Sequence, residues 1–221
     1  MTICVHGELS FDWLIHDINK VNYRWGGAGL YAALAAARQN HPASLLTLYG
    51  LEVNEYSRKI WEEIGVSFSN AKFLEWYSIP KYITTGFTQY GYKRSRPLTE
   101  IMLDLPTFNV LPKSCEALLV FPVNHSIPEE LCKQAKERNI PVFLDPKPNQ
   151  HSICQAKKIV SFVDCLLVNE EEAKRMTGIA NTDEAITALR SLGLKQIVIK
   201  QGIRGCLVID GTNQYAASPV Q

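Results

Sequence analysis

Short apolar runs alternate along the chain with segments that carry helical periodicity and helix-capping residues. The runs predict buried β-strands at Thr2–Val5, Ser44–Tyr49, Ala117–Phe121, Pro141–Leu144, Cys165–Val168 and Gln196–Lys200. Between them, Asn54 is a helix N-cap with Gly65 after the last turn, and Asn169 opens a helix that Gly178 ends. Strands that alternate with helices in this way predict an α/β fold.

A glycine-rich loop at residues 24–29 leads directly into a helix made almost entirely of alanine and leucine. Glycine permits positive φ and close approach of another group, and a helix start offers unpaired N–H groups. Together they suit an anion or a hydroxyl-rich ligand. The composition predicts a helix buried on all sides, ended by Asn40 and Pro42. The simpler interpretation is that the glycines only permit tight packing.

The predicted alternation of strands and helices is interrupted between residues 71 and 103. Three extended segments rich in Thr, Tyr and Phe predict a small antiparallel excursion, Ala71–Trp76, Tyr82–Tyr90 and Tyr92–Leu103. Such a lid could cover a ligand site or form a dimer contact. Lys93, Arg94 and Arg96 make it basic, although a solvated face would look the same. Earlier, Phe11–Ile15 is a further extended segment, in which Asp12 would ordinarily serve a turn or cap.

Composition narrows the functional classes. The 221 residues carry a net charge of +1, which gives no electrostatic case for binding nucleic acid or an anionic membrane. No apolar run approaches the length of a membrane span, and the start lacks a signal peptide. The six cysteines form no C-x-x-C pair, which predicts buried free thiols in the cytoplasm. The five histidines show no metal-ligand spacing.

Chemistry is expected where strands meet turns or helices, the usual ligand position in an open α/β sheet. Three junctions qualify: residues 145–149, 169–172 and 200–205. Asn169 can cap its helix, and Glu172 can either complete a capping box or hold a water on Mg²⁺. Gly202 and Gly205 either present backbone N–H groups to phosphate oxygens or form an ordinary turn.

One dinucleotide motif provides an alternative function. Gly27-x-Gly29-x-x-Ala32 matches the G-x-G-x-x-A variant, and Glu52 lies at a suitable distance for a ribose-binding acid. That motif must follow a buried strand, which residues 21–25 do not predict. A NAD-binding Rossmann oxidoreductase therefore stands as an outside alternative. The chain contains no Gly-Lys-Ser/Thr of a P-loop.

In the order of its elements the chain resembles the ribokinase/PfkB family of sugar and nucleoside kinases. The resemblance runs in collinear order over essentially the whole sequence, and its most specific part is the Asn-x-x-Glu segment that ends in Thr177-Gly178. The matching pieces are Gly7 with Asp12, Gly26-Gly27 before the alanine-rich helix, Phe87–Arg94, Asp145 after a strand, Asn169–Gly178 and Lys200–Gly205.

The resemblance implies a ribokinase-like α/β fold, a three-layer α/β/α sheet with a small β lid. Residues 1–221 would form one domain, with lid strands inserted at about 10–24 and 71–104. It also implies an ATP-dependent, Mg²⁺-requiring kinase that phosphorylates a hydroxyl of a sugar, sugar acid or nucleoside. Lid strands of this family often form dimers, which leaves a homodimer through the lid open.

Residue roles follow from the same resemblance. Asp12 would hold substrate hydroxyls, Gly26 and Gly27 would let the substrate approach the backbone, and Arg94 would contact an acidic sugar from the lid. On the cofactor side, Asn169 and Glu172 would serve the phosphate and metal region, with Glu172 acting on Mg²⁺ through a water. The ATP side would be lined by Lys200, Gly202 and Gly205.

The sequence departs from the family at its catalytic base. The family takes this base from the Asp of a Gly-Ala-Gly-Asp helix start near the C-terminus, but the only Gly-Ala-Gly here is Gly27–Gly29, followed by Leu30. This predicts a chain truncated before the motif, with the expected Asp beyond Gln221, no catalytic base in the chain itself and little activity. The alternative is a catalytically inactive sugar-binding or interaction protein, or a relic. Ala28 and Tyr31 replace the Lys and Asn of ribokinase-like members, which argues against ribose as the substrate.

Overall fold

The computed structural model describes residues 1–17, 20–75, 77, 79, 81–88, 91–94, 108–122, 128–147 and 150–219. The chain forms two compact units, residues 1–104 and 105–221. The assignment of residues 1–221 to one domain stays a prediction.

The first unit contains parallel strands, a lid sheet and two helices. Its elements in chain order are β1 (Ile3–His6), β2 (Ser10–Asp17), β3 (Lys20–Gly26), α1 (Ala28–Arg38), β4 (Ala43–Leu46), β5 (Leu48–Tyr49), α2 (Glu55–Ile64), β6 (Val66–Ser67), β7 (Lys72–Phe73), β8 (Lys81–Thr88) and β9 (Gly91–Arg94). Strands β1, β4 and β6 pair in parallel in that order. The lid sheet is the four strands β3-β2-β8-β9.

The second unit consists of adjacent strands flanked by helices. Its elements are β10 (Ala117–Val120), α3 (Glu129–Glu137), β11 (Val142–Leu144), α4 (Gln150–Ile159) with a 3₁₀ turn at Val160–Phe162, β12 (Cys165–Asn169), α5 (Glu170–Thr177), α6 (Thr182–Arg190), β13 (Gln196–Lys200), a 3₁₀ turn at Gly202–Arg204, β14 (Cys206–Asp210) and β15 (Asn213–Ala217). Strands β10 to β13 pair in parallel, and β13, β14 and β15 pair antiparallel. The sequence Ser126-Ile127-Pro128-Glu129 has the pattern of a helix capping box, but Ser126 lies outside the described residues.

Helix ends follow the predicted capping residues. The Asn54 side chain accepts a hydrogen bond from the Ser57 backbone N–H at the start of α2, and Gly65 ends that helix in the left-handed conformation at φ +107°. Gly178 ends α5 in the same way at φ +78°. Left-handed glycines close helices because no Cβ atom clashes with the backbone there.

Helix α1 is buried on one side only, so the prediction of a fully buried helix was wrong. Its buried residues are Gly29, Leu30, Ala33 and Ala37. Tyr31 on the other side is 46% exposed. Alanine is small and a strong helix former, so it is tolerated on exposed as well as buried positions. The amino-acid composition of α1 alone therefore could not show which side of the helix is buried and which is exposed.

The lid sheet differs from the predicted antiparallel excursion. Strands β2 and β3 form an antiparallel hairpin, and so do β8 and β9, but β2 and β8 pair in parallel. The long connection between β2 and β8 lets both strands run in the same direction. Of the predicted segment 71–76, the described residues 71–75 contain β7, which pairs with β5 and not with the lid sheet. Thr47 separates β5 from β4, so the strand predicted at 44–49 is two strands. Residues 95–107 lie outside the description.

Aromatic rings connect the β2–β3 hairpin to α2. The Trp25 ring meets the edge of Trp61 with centroids 5.4 Å apart, and Trp61 stacks on Phe68 at 5.5 Å. Trp61 is only 6% exposed. Such pairs stabilise beyond the area that they bury. The hairpin is therefore attached to the body of the first unit through Trp61.

Replacing Trp61 with phenylalanine is expected to lower the free energy of unfolding by about 1–2 kcal/mol, because the smaller ring leaves space beside Trp25 and Phe68. Tyr56→Phe on the same helix is the control, because Tyr56 is 73% exposed. Urea denaturation of both variants measures the difference. Equal loss in the two variants would argue against the aromatic attachment.

All six cysteines lie in the described residues, and none of them forms a disulfide there. Four are buried, as predicted, whereas Cys154 is exposed and Cys206 is half-buried. Among the helices of the described residues, none has the length and apolar character needed to cross a lipid bilayer.

Candidate active site

The glycine loop packs directly against the backbone that follows β1. Gly27 is the N-cap of α1 at φ +99°, and a Cβ atom there would lie 2.3 Å from the carbonyl oxygen of Glu8. A Cβ atom on Gly29 would lie 2.9 Å from the carbonyl carbon of Gly7. The Gly29 N–H donates to the Glu8 carbonyl at 3.2 Å. Both glycines are therefore required by close backbone contact, and Gly27 also by its left-handed conformation.

A buried carboxylate lies beside this loop. Asp12 is 6% exposed and lies within β2, so it serves neither as a turn nor as a helix cap. The hydroxyl of Ser10, itself fully buried, donates to Asp12 Oδ1 at 2.9 Å. A Cβ atom at Gly26 would lie 2.5 Å from Asp12 Oδ2 and 2.7 Å from Ser10 Oγ. The structure thus brings the predicted residues Asp12, Gly26 and Gly27 together and adds Ser10.

The remaining predicted substrate contact, Arg94, ends β9 in the lid sheet. It pairs with Thr84, which pairs in turn with Leu14 two residues after Asp12. Arg96 lies outside the described residues. Position 94 is therefore in the same sheet as Asp12.

In the second unit, three parallel strands end side by side. Their ends bring together the charged side chains of Asp145, Glu172 and Lys200. Asp145 follows β11, Asn169 ends β12 and Lys200 ends β13, with Asn169 and Lys200 in register. The Lys200 ammonium lies 2.7 Å from Asp145 Oδ1 and 3.7 Å from Glu172 Oε2. The carboxyl ends of strands are where open α/β sheets bind ligands.

Glu172 completes a capping box with Asn169. The Asn169 side chain accepts from the Glu172 N–H at 2.8 Å, and Glu172 Oε2 accepts from the Asn169 N–H at 2.8 Å. This holds the Glu172 carboxylate in a fixed orientation at only 4% exposure. The capping role left open by the sequence is therefore present, with Lys200 as an additional neighbour.

Burial and charge oppose each other in this cluster. Burial raises the pKa of Asp145, and the nearby Lys200 ammonium works against that rise. Burial also raises the pKa of Glu172, opposed by the Asn169 N–H and by Lys200. Lys200 is therefore the cation that offsets two partly desolvated carboxylates. Within the described residues, no group of three or more His, Cys, Asp or Glu side chains is arranged to hold a metal ion.

The turn after β13 is a short 3₁₀ helix that begins at Gly202 and is followed by Gly205, and both glycines have positive φ. Gly202 has φ +58° with open space where a Cβ atom would be, whereas a Cβ atom on Gly205, at φ +87°, would lie 2.0 Å from the Ala217 carbonyl oxygen. Glu170 Oε1 accepts from Arg204 at 2.5 Å and from Gln201 at 3.3 Å. Glu170, the first residue of α5, thus holds the turn that contains Gly202 and Gly205 through these hydrogen bonds.

Replacing Glu170 with glutamine is expected to loosen this turn, because the charge that holds Arg204 is lost. Backbone amides of residues 202–205 should exchange hydrogen faster, while the cost in stability stays below about 1 kcal/mol for a pair this exposed. Glu171→Gln is the matched control, because Glu171 pairs within its own helix, with Arg175 at 2.9 Å. Equal exchange rates in the two variants would contradict the assigned role.

Sequence reasoning missed Ser10 and Glu170 and did not place Asp145 among the site residues. Asp145 had a usable signal, because it directly follows a predicted strand. Ser10 and Glu170 had no such signal in the sequence. Ser10 acts through Asp12 on its own strand, and Glu170 acts on the turn that follows a different strand, β13.

The sequence predicts the catalytic Asp beyond Gln221. The described residues extend to Pro219, and Gln221 itself lies outside them. The position of the general base beyond Gln221 therefore stays a prediction.

The chain belongs to the pfkB family of carbohydrate kinases, which it matches over residues 4–221. It is 25% identical over 236 residues to a cytidine kinase from Thermococcus kodakarensis, covering 100% of this chain and 81% of that protein.

Solved structures share the fold. A ribokinase from Cryptococcus neoformans in complex with ADP matches with a TM-score of 0.78 at 16% identity, over 99% of this chain and 79% of that one. A fructokinase from Vibrio cholerae bound to fructose, ADP and calcium matches with a TM-score of 0.74 at 16% identity, over 98% and 76%. The predicted ribokinase-like α/β fold is confirmed.

The dinucleotide alternative lacks its structural context. The residues before Gly27 do form a strand, β3, but it is antiparallel to β2 in the lid sheet, and Tyr23 within it is 58% exposed. The G-x-G-x-x-A motif requires a buried strand of a parallel sheet. Together with the family membership, this removes support for a Rossmann oxidoreductase.

Proposed function

We propose that this chain binds the substrate and nucleotide of an ATP-dependent phosphotransferase that acts on a hydroxyl of a sugar, sugar acid or nucleoside. The observation that carries the proposal is the Lys200 ammonium between Asp145 and Glu172, at the carboxyl ends of three parallel strands. An ammonium beside two glycines with positive φ suits the phosphates of a nucleotide. The ADP-bound ribokinase that shares this fold supports nucleotide use.

The substrate side of the proposal rests on Asp12. A buried carboxylate held by Ser10 accepts hydrogen bonds from sugar hydroxyls with little loss of side-chain freedom. Gly26 leaves room for the Asp12 carboxylate and the Ser10 hydroxyl, and Gly27 lets the loop pack against the Glu8 carbonyl, so both glycines help to position Asp12 for a sugar. Arg94 contributes a basic residue from the lid sheet. The fructose-bound fructokinase supports a sugar as the type of ligand.

The nucleotide side combines Lys200, Asn169 and Glu172 with the turn at Gly202 and Gly205. Mg²⁺ prefers one or two carboxylates together with phosphates and waters, which fits the two carboxylates beside Lys200. Glu172 would hold the ion through a water, and Asp145 is the second oxygen donor within reach. When bound, Mg²⁺ would neutralise charge on the transferring phosphoryl group.

The general base is not assigned to any of residues 1–221, because none of them belongs to a Gly-Ala-Gly-Asp sequence. The base would be an Asp beyond Gln221, as the family resemblance implies. Without a base to accept the hydroxyl proton, transfer by these residues alone is slow. The free thiols and the kinase family favour a cytoplasmic protein, and the lid strands offer a surface for a homodimer.

The test is calorimetric titration of the 221-residue chain with a panel of sugars, sugar acids and nucleosides, together with an ATP-turnover assay on the same panel. We expect binding of at least one compound that Asp12→Asn weakens, and turnover far below the roughly 1–100 s⁻¹ of kinases. Binding that is indifferent to Asp12→Asn contradicts the substrate assignment. Turnover in the normal range shows that a base lies within residues 1–221.

A second candidate is a sugar-binding protein without transfer activity, favoured by the lack of a Gly-Ala-Gly-Asp sequence in residues 1–221. It predicts sugar binding through Asp12 with no nucleotide binding. The phosphotransferase predicts nucleotide binding that depends on Lys200. A nucleotide titration therefore separates the two candidates.

A further inference from the structure

The two faces of the β2–β3 hairpin have opposite chemical character. Residues directly opposite each other in an antiparallel pair lie on the same face of the sheet. One face carries the aromatic pairs Phe11 with Trp25 and Trp13 with Tyr23. The other face carries the pairs Ser10 with Gly26, Asp12 with Arg24 and Leu14 with Asn22. Arg24 is therefore the immediate cross-strand neighbour of the buried Asp12 carboxylate.

The backbone at Arg24 is held on both sides. Trp25 packs against Trp61, and its carbonyl oxygen accepts a hydrogen bond from the Tyr31 hydroxyl of α1 at 3.1 Å. Tyr23 contacts the Trp13 ring edge-on at 5.4 Å. Position 24 is thus fixed by its two aromatic neighbours on the opposite face of the hairpin. Arg24 therefore extends from a paired strand and not from a loop.

Arg24 and Asp12 present different chemistry to a ligand on this face. Asp12 is buried and can only accept hydrogen bonds when ionised, whereas Arg24 is exposed and can only donate. The next register row on the same face runs from Asn22 through Leu14 and Thr84 to position 94. Position 94, also an arginine in the sequence, therefore lies in the register row next to that of Asp12.

We infer that Arg24 is a specificity residue that selects substrates with an anionic group, a carboxylate or a phosphate, in addition to the hydroxyls held by Asp12. This rests on the proposed role of Asp12 in substrate binding. The negative charge of Asp12 would repel an anionic substrate, and a charge-assisted hydrogen bond from the Arg24 guanidinium would offset that repulsion. A neutral sugar gains no such contact.

The experiment compares matched ligand pairs on the 221-residue chain by calorimetry. The pairs are glucose with glucuronate, ribose with ribose 5-phosphate and fructose with fructose 6-phosphate, and cytidine is the neutral nucleoside. The first pair tests a carboxylate, and the other two test a phosphate. The variants are Arg24→Gln, Arg24→Lys and Lys93→Gln. Lys93 pairs with Thr85, which pairs with Ile15, so position 93 lies outside the register rows of Asp12 and Leu14 and serves as the control for loss of a lid charge.

We expect the charged member of at least one pair to bind at least about tenfold more tightly than its neutral partner, as one charge-assisted hydrogen bond would give. Arg24→Gln should remove that preference, whereas Arg24→Lys should keep part of it and Lys93→Gln all of it. Equal loss in Arg24→Gln and Lys93→Gln would show a general charge effect and overturn the inference.

Failure of the inference is distinguishable from failure of the proposed function. Suppose that neutral sugars or cytidine bind as tightly as the anions and that Asp12→Asn weakens this binding. That result would overturn the role of Arg24 and leave the proposed substrate site intact. Sugars that all bind independently of Asp12, or none that bind, would overturn both.

Discussion

Replacing Gly26 with alanine is expected to abolish sugar binding while leaving the protein folded. The new Cβ atom would lie 2.5 Å from Asp12 Oδ2 and 2.7 Å from Ser10 Oγ, closer than atoms pack. The nearest atoms belong to side chains, so the carboxylate turns away and the hydrogen bond from Ser10 breaks. Two charge-assisted hydrogen bonds to the substrate, at about 1.5–3 kcal/mol each, correspond to a loss of about a hundredfold or more in affinity.

Gly193→Ala is the matched control for this substitution. Gly193 has φ +73° and no atom within 4 Å of a Cβ position, so alanine there meets backbone strain but no clash. It should cost about 1 kcal/mol of stability and leave sugar affinity unchanged. Calorimetry with the sugar that binds the parent chain measures both variants. A Gly26→Ala protein that binds like the parent would contradict the placement of substrate beside Asp12.

Replacing Lys200 with methionine is expected to remove nucleotide binding and to destabilise the second unit. Asp145 and Glu172 would lose the cation between them, and the Glu172 side chain is only 5% exposed. Removing one partner of a fully buried pair costs about 3–5 kcal/mol. Because the Lys200 side chain is 40% exposed, we expect a smaller loss of about 1–2 kcal/mol at neutral pH.

The stability loss in Lys200→Met should depend on pH. Burial raises the pKa of both Asp145 and Glu172 in the folded protein, and removing Lys200 raises the pKa values further. A carboxyl group with a raised folded-state pKa destabilises the protein above that pKa and has no such effect below its unfolded pKa. The difference from the parent should therefore be largest at neutral pH and shrink as the pH falls through the carboxyl range. Urea denaturation across that range measures it.

Lys195→Met makes the same chemical change at the other end of the second unit's strands. Lys195 pairs with Asp164 at 2.6 Å and is 76% exposed. Nucleotide affinity should be unchanged in this variant. Equal loss of nucleotide binding in the two methionine variants would show that Lys200 acts only through the overall charge.

Local sequence signals predicted the elements of the fold well. Asn54 with Gly65 and Asn169 with Gly178 set helix ends through contacts within a few residues, so their patterns could be read directly. The parallel pairing of β2 with β8 could not, because it joins segments that are distant in the sequence and depends on the path between them. The exposure of Tyr31 likewise depends on which side of α1 the unit covers.

The candidate site was predictable as separate residues but not as contacts. Asp12 and Gly26 were each singled out, yet their closeness follows from the register that places Ser10 opposite Gly26. Lys200 and Asp145 are far apart in sequence and meet because β11, β12 and β13 are adjacent strands. Glu172 looked equally suited to a capping box and to a metal, because the same carboxylate orientation serves both.

The most direct test of the account is titration of the 221-residue chain with ADP and Mg²⁺, for the parent, Lys200→Met and Lys195→Met. The proposed role of Lys200 in nucleotide binding predicts saturable binding to the parent. Lys200→Met should weaken that binding by about tenfold or more, as loss of one charge-assisted contact implies, and Lys195→Met should leave it unchanged. No saturable binding to the parent, or equal affinity in the parent and Lys200→Met, would contradict it.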